Sequence, residues 1–145
     1  MQSTFVVSFD LNTTDAQVPL GFEAWLDDQK FHDIDHVTGH QQISMQILDD
    51  EAEHELRLIM KNKTIEHTQI DTAGNIIADA KLTVTNVAFD DIQLGHMLTL
   101  QAMYTHDFNG TQDLSQHKFY GELGCNGTVS IKFTTPIYLW LLEHM

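Results

Sequence analysis

Positive charge is scarce in this 145-residue chain: 7 Lys and Arg stand against 21 Asp and Glu, a formal net charge of -14. A surface this acidic repels phosphate backbones and anionic headgroups, and no Lys/Arg cluster makes a local exception, so nucleic-acid binding is excluded. No apolar run approaches the ~20 residues of a membrane span, and membrane insertion is not expected. Cysteine is nearly absent. Cys125 alone cannot form an intrachain disulfide, which fits maturation in a reducing cytosol. With 2 prolines and no low-complexity tract there is little scope for a linker. The N-terminus lacks a basic region and reaches Asp10 early, so it reads as a first strand rather than a signal peptide. The motifs of common enzyme classes are missing as well: no Gly-x-Ser-x-Gly elbow, no His-Glu-x-x-His and no phosphate-binding glycine loop. No enzyme is expected.

What is present is alternation. Apolar residues make up 42% of the chain, enough for one folded domain rather than an acidic disordered tail. Phe5, Val7 and Phe9 alternate with polar neighbours, as do Ile43, Met45 and Ile47. His54, Leu56, Leu58 and Met60 share a face opposite Glu55, Arg57 and Lys61. Leu98, Leu100, Ala102 and Tyr104 repeat the pattern, and so do Val129, Ile131 and Phe133. Period two is the signature of half-buried strands. Further strands are predicted over 20–26, 65–70, 76–89 and 118–121, with a bend or bulge in the run 76–94. No sustained helical stripe appears. Polar, turn-forming residues predict a turn at 71–75, a short hairpin connection at 49–52 and an exposed loop at 107–116. Nine or ten short strands separated by such signals predict an all-β antiparallel sandwich of jelly-roll type over residues 1–135. Residues 136–145 read as its last strand, as a single helical turn packed on the core, or as an apolar C-terminal arm.

Three features bear on function. Asp27-Asp28, Asp49-Asp50 and Asp90-Asp91 each end an apolar strand. Oxygen-rich strand ends can hold a hard cation, but Asp also ends strands because it favours turns; only convergence on one rim would give the pairs meaning. His32, His36 and His40 recur at four-residue spacing, which on a helix would align three imidazoles for a metal. Val37-Thr38-Gly39 argues against a helix, so a loop of solvated histidines is expected. The segment Pro136, Ile137, Tyr138, Leu139, Trp140, Leu141 and Leu142 is almost wholly apolar. It either packs on its own core or docks on another protein subunit, since Trp and Tyr concentrate at interfaces.

Gly21-Phe22-Glu23-Ala24-Trp25-Leu26-Asp27-Asp28-Gln29-Lys30 resembles an early strand and turn of calcium-dependent xylan-binding carbohydrate-binding modules. Glu53–Leu58 and Val87–Ile92 are similar to later strands of the same group. The resemblance covers about residues 18–94 and implies a sandwich in which bound calcium contacts sugar hydroxyls. It departs at Asn62-Lys63, where the family carries Asn-Asp and the acid belongs to the calcium site. A lysine there opposes a cation, and no calcium ligand is carried over. The C-terminal half is similar in style to small proteins of marine tailed phages. That resemblance implies an accessory virion protein made in the host cytoplasm and assembled with other subunits. The first expectation is therefore a non-enzymatic structural protein that docks through residues 136–142. The alternative is a calcium-dependent glycan-binding module in which Trp25 or Phe108 stacks on a sugar.

Overall fold

The alternating segments pair into two antiparallel sheets that bury their inner faces against each other. The computed structural model describes residues 4–63, 68–70, 76–106, 115–124 and 126–144. In one sheet the order is β12 (Glu122–Leu123), β8 (Leu82–Phe89), β1 (Thr4–Thr13) and β4 (Gln41–Leu48), with β9 (Ile92–Gln93) hydrogen-bonded to β8. In the other it is β11 (Ser115–Lys118), β10 (Ala102–His106), β13 (Gly127–Thr134), β5 (Glu53–Lys61), β2 (Gly21–Leu26) and β3 (Gln29–Ile34). A separate hairpin joins β6 (Thr68–Ile70) to β7 (Ile76–Asp79). Two short helices complete the described chain, α1 (His96–Gln101) and α2 (Ile137–His144). The turn expected at 71–75, Cys125 and most of the loop expected at 107–116 lie outside the described residues.

The core follows the period-two pattern. Phe5, Val7, Phe9 and Leu11 of β1 face Leu56, Leu58 and Met60 of β5 and Val129, Ile131 and Phe133 of β13, all buried. The expected irregularity in the 76–94 run has two parts. The strand breaks at Ala80–Lys81, where Lys81 and Thr14 exchange two hydrogen bonds. Within β8 the buried set shifts phase after Val84, and the register with β1 slips between Ser8 and Asp10. Asn86, at φ 55°, is the left-handed residue at that slip, a conformation Asn tolerates better than most residues.

One strand expectation fails. The alternation puts Leu98 and Leu100 on a strand with Ala102 and Tyr104, but they lie on α1, where Leu100 is exposed. Of the alternatives for the 136–145 segment, the structure takes the helical one packed on the core: Pro136 precedes α2, a helix of eight residues. Helices of two turns or fewer are too short to display a 3.6-residue stripe. Within α2, Ile137, Trp140 and Leu141 are buried, Trp140 at 3% exposure. Trp140 lies 5.7 Å from Phe89 and 6.2 Å from Phe133, whose rings belong to opposite sheets. Tyr138, Leu139 and Leu142 remain outside, 49%, 57% and 69% exposed. The apolar segment is thus divided between core and surface.

Trp140→Ala is expected to lower the unfolding free energy by about 3–5 kcal/mol, and Leu139→Ala by less than about 0.5 kcal/mol. Urea denaturation of both variants checks this; equal effects would mean that α2 does not seat Trp140 in the core.

Candidate functional site

The three aspartate pairs do share one end of the sandwich. Register places them there: Thr4 pairs with Leu48, Val7 with Phe89, Leu26 with Leu56 and Glu53 with Thr134. Turn chemistry explains their composition. Asp90 and Asp91, at φ 53° and 67°, form the two-residue link between β8 and β9, and Asp27 sits at φ 51° between β2 and β3. Two-residue hairpin links require positive φ, which Asp adopts at low cost.

Two of the pairs converge on His54. Its Nδ1 lies 2.7 Å from Asp27 Oδ2 and its Nε2 lies 2.7 Å from Asp50 Oδ1, with the side chain only 10% exposed. The first turn is fastened to β5 independently: Asp27 Oδ1 accepts the Glu55 N–H at 2.8 Å, and Arg57 Nη2 donates to the Asp27 carbonyl at 2.6 Å. Thr135 ties down the second by donating from Oγ1 to Asp50 Oδ1 at 3.1 Å while accepting the Ala52 N–H at 2.9 Å. Burial pulls the imidazole toward neutrality, but the hydrogen bonds to Asp27 and Asp50 outweigh it and raise the His54 pKa above 6.5. The same bond from His54 holds the Asp50 carboxyl below its ordinary 3.8. At the third pair, Tyr138 donates to Asp90, and that bond, with burial and the charges of Asp90, Asp49 and Asp91, raises the phenol pKa.

Beside His54 opens a concavity of about 610 Å³. His54 and the buried rings of Phe133 and Trp140 lie at its floor, Asp27, Glu53, Glu55 and Glu143 give it carboxylates, and Lys132, Thr134 and His144 complete the lining. His144 stacks on Trp140 at 4.6 Å and its Nδ1 donates to the Trp140 carbonyl at 2.8 Å. Across Asp27 and His54 lies a second concavity of about 460 Å³, walled by Leu26, Phe31, Ile47, Leu48, Gln46 and Asp50 among others. The first has the size and mixed polarity of a small-ligand site.

The other residues singled out in the sequence, Trp25 and the three histidines, are dispersed. Trp25 is half-buried on the outer face of β2, its Nε1 donating to Glu23 Oε1 at 2.7 Å. Lys30 Nζ and Arg57 Cζ stand 5.5 and 5.3 Å from its ring, so a stacking sugar has to displace a cation. Around it the Lys61 ammonium bonds Asp33 and Glu23, which raises the lysine pKa and lowers both carboxyls. Phe108 lies outside the described residues. The three histidines do not meet: His36 Nε2 donates to the Ala16 carbonyl at 2.7 Å, His40 Nε2 is 3.3 Å from Asp10, and His32 lies on extended β3 near the Ser44 carbonyl. Alternation alone puts His54 on the inward face of its strand, as observed, but does not reveal its role. The available signal is a histidine in an otherwise apolar inward set.

Comparison with known proteins gives the fold a precedent. No protein-family model matches the chain, and no curated protein matches it. Among solved structures it is similar to a selenomethionine form of vCBM60, described in the context of two circularly permuted families of calcium-dependent carbohydrate-binding modules. The TM-score is 0.56 at 12% identity, over 89% of this chain and 90% of that one. It is also similar to vCBM60 in complex with galactobiose, at TM-score 0.50 and 14% identity, over 89% and 97% of the two chains. The likeness is one of fold: an antiparallel β-sandwich like that of these modules.

Calcium does not fit the place the resemblance gives it. Lys63 stands there, 3% exposed, its Nζ donating to the Gly124 carbonyl at 2.5 Å. Asn126 clasps its backbone, accepting from the Lys63 N–H at 2.9 Å and donating to the carbonyl at 2.6 Å. An ammonium already holds a carbonyl of the kind that would ligand a metal ion, and it repels a second cation. Among the described residues no three His, Cys, Asp or Glu side chains gather as a metal site.

The depressed Asp50 carboxyl contributes stability above pH 3.8 that disappears as pH falls through its folded value. Asp50→Asn is therefore expected to melt lower than the native chain at pH 6, with the difference closing below pH 3.8. Thermal melts across an acid series check this; a gap independent of pH would deny the Asp50–His54 bond any weight.

Proposed function

We propose that this protein is a non-catalytic glycan-binding module whose ligand occupies the concavity beside His54, and that it binds without calcium. The observation that carries the reading is the set of carboxylates, from Asp27, Glu53, Glu55 and Glu143, around one open hollow of about 610 Å³, with the half-buried His144 ring in its lining. A sugar offers a fan of hydroxyls that donate to such carboxylates. The likeness in fold to carbohydrate-binding modules, one of them in complex with galactobiose, supports it. Glu143 and Lys132 reach the hollow from the exposed sides of α2 and β13 and can be altered without touching the core.

Calorimetry against neutral oligosaccharides including galactobiose, with calcium and with EDTA, tests both parts. Binding is expected in either buffer, with Glu143→Ala and Lys132→Ala each weakening it on the order of tenfold. No binding to any sugar would remove the module reading, and binding lost in EDTA would restore calcium.

A second reading rests on the three exposed apolar side chains of α2. Tyr138, Leu139 and Leu142 form one surface strip that suits docking to another protein subunit, as in an accessory virion protein. Because Trp140 belongs to the core, deleting residues 136–145 would unfold the chain rather than test docking. Leu139→Asp with Leu142→Asp is the clean variant. It should leave the melting temperature within a few degrees and abolish any concentration-dependent association seen by sedimentation. Association that survives both aspartates would remove this reading.

A further inference from the structure

His54 holds two carboxylates with one ring, and that sets its charge. An ionised carboxylate only accepts hydrogen bonds, so both ring nitrogens, each 2.7 Å from an Asp oxygen, must carry protons. The grip therefore requires the imidazolium. The two arms are not equally secured. Asp27 is joined to β5 through the Glu55 N–H, through its own N–H to the Glu55 carbonyl at 2.9 Å, and through Arg57. Asp50 belongs to the four-residue connection between β4 and β5, where Glu51 sits at φ 56°, and its other side-chain tie is Thr135. Asp27 and His54 line both concavities, whereas Asp50 lines the second alone.

We propose that the Asp27–His54–Asp50 bridge is a proton-operated clip: with the ring charged it fixes the β4–β5 connection and, through Thr135, the entry to α2, and on losing the proton it releases Asp50 while keeping Asp27. The proton leaves Nε2, whose lone pair then faces the Asp50 carboxylate; Nδ1–H stays on Asp27. Besides Asp50 the ring meets Asp27 from the β2–β3 turn, while Glu53 and Glu55 of its own strand, Lys132 from β13, and Glu143 and His144 from α2 line the hollow beside it. Carboxylates dominate this set and favour the charged ring, with Lys132 opposing them. The raised His54 pKa agrees. A raised pKa means that the contribution is complete below 6.5 and lost as pH climbs through the folded value. The clip itself stands on the geometry; its effect on ligand affinity rests on the glycan-binding reading.

Nitrogen-15 NMR of the histidine side chains, with amide shifts followed from about pH 5 to 9, tests the clip on the full chain without ligand. The His54 midpoint is expected above 6.5. Nε2 should lose its proton while Nδ1 keeps its own. The amides of Asp50, Ala52 and Thr135 should move with that midpoint, and those of Glu23 and Trp25 should not. Asp50→Asn should lower the midpoint by about one to two pH units. His144→Gln, which removes the other imidazole of the hollow, should leave the event in place. A midpoint at or below 6.5, a ring that titrates with Asp50 and Thr135 unmoved, or an event that vanishes in His144→Gln would each overturn the proposal. Should Asp50→Asn fail to fold, the native titration decides alone. A working clip in a chain that binds no sugar would count against the glycan-binding reading only.

Discussion

Two sheets that touch only through flat inner faces can splay at their ends unless side chains from both interlock. Here the interlock at one end is aromatic. Phe5 and Phe89 reach from one sheet, Phe133 from the other, with ring centroids 5.2 to 6.1 Å apart, and Trp140 closes over Phe89 and Phe133. Edge and tilted contacts of this kind add to area burial and resist sliding. Much of that end follows from it. Phe133 pairs across the ladder with His54, whose ring stands 5.6 Å from it, so fixing Phe133 fixes the imidazole. With the imidazole fixed, Asp27 and Asp50 have one place to bond, and the turns that carry them take their positions around the hollow. Trp140 brings α2, and α2 brings Glu143 and His144 to the opposite wall.

What is legible in the sequence divides along the same physical lines. β1, β4, β5 and β13 are legible because each is a long half-buried strand, and a period of two sustained over six or more residues is hard to produce in any other way. The paired aspartates at 49–50 and 90–91 mark strand ends by composition, but the short hairpin expected over 49–52 is a crossover, because β4 and β5 lie in different sheets. α1 is not legible, and α2 only as one of three alternatives, because a turn or two of helix leaves no period to detect, and Leu98–Leu100 imitates alternation by chance. Convergence of the aspartates is unreadable for a different reason. Asp27 lies 27 residues from His54 in sequence, and their meeting depends on β2 pairing with β5 at one register. A shift by one residue would turn Asp27 away. Trp25 illustrates the opposite error: its residue type suggests a sugar platform, but Lys30 and Arg57 already crowd its ring.

Lys63 and His54 are both basic side chains set inside an acidic protein. Lys63 closes the end of β5 onto Gly124 and Asn126, where the resemblance calls for an acid. Its Nζ donates to the Gly124 carbonyl and so fastens chain to chain. His54 does the equivalent work between two carboxylates, with a charge that depends on pH. A fold like that of vCBM60 is thus built here with basic side chains at two of its junctions.

The excess of negative charge acquires a structural meaning from this. Aspartates gather at one rim because turns favour them: Asp27-Asp28 and Asp90-Asp91 are two-residue hairpin links, and Asp49-Asp50 opens the four-residue crossover from β4 to β5. Left alone, that concentration would push the turns apart. It is relieved locally: His54 binds one member of each of two pairs, and Tyr138 binds a member of the third through a neutral hydroxyl. The hydroxyl can hold Asp90 at any ordinary pH, whereas the ring holds Asp50 only while charged. Of the three turns at the rim, the one between β4 and β5 is therefore the one whose restraint a physiological change of pH can alter, and it borders the second hollow rather than the first.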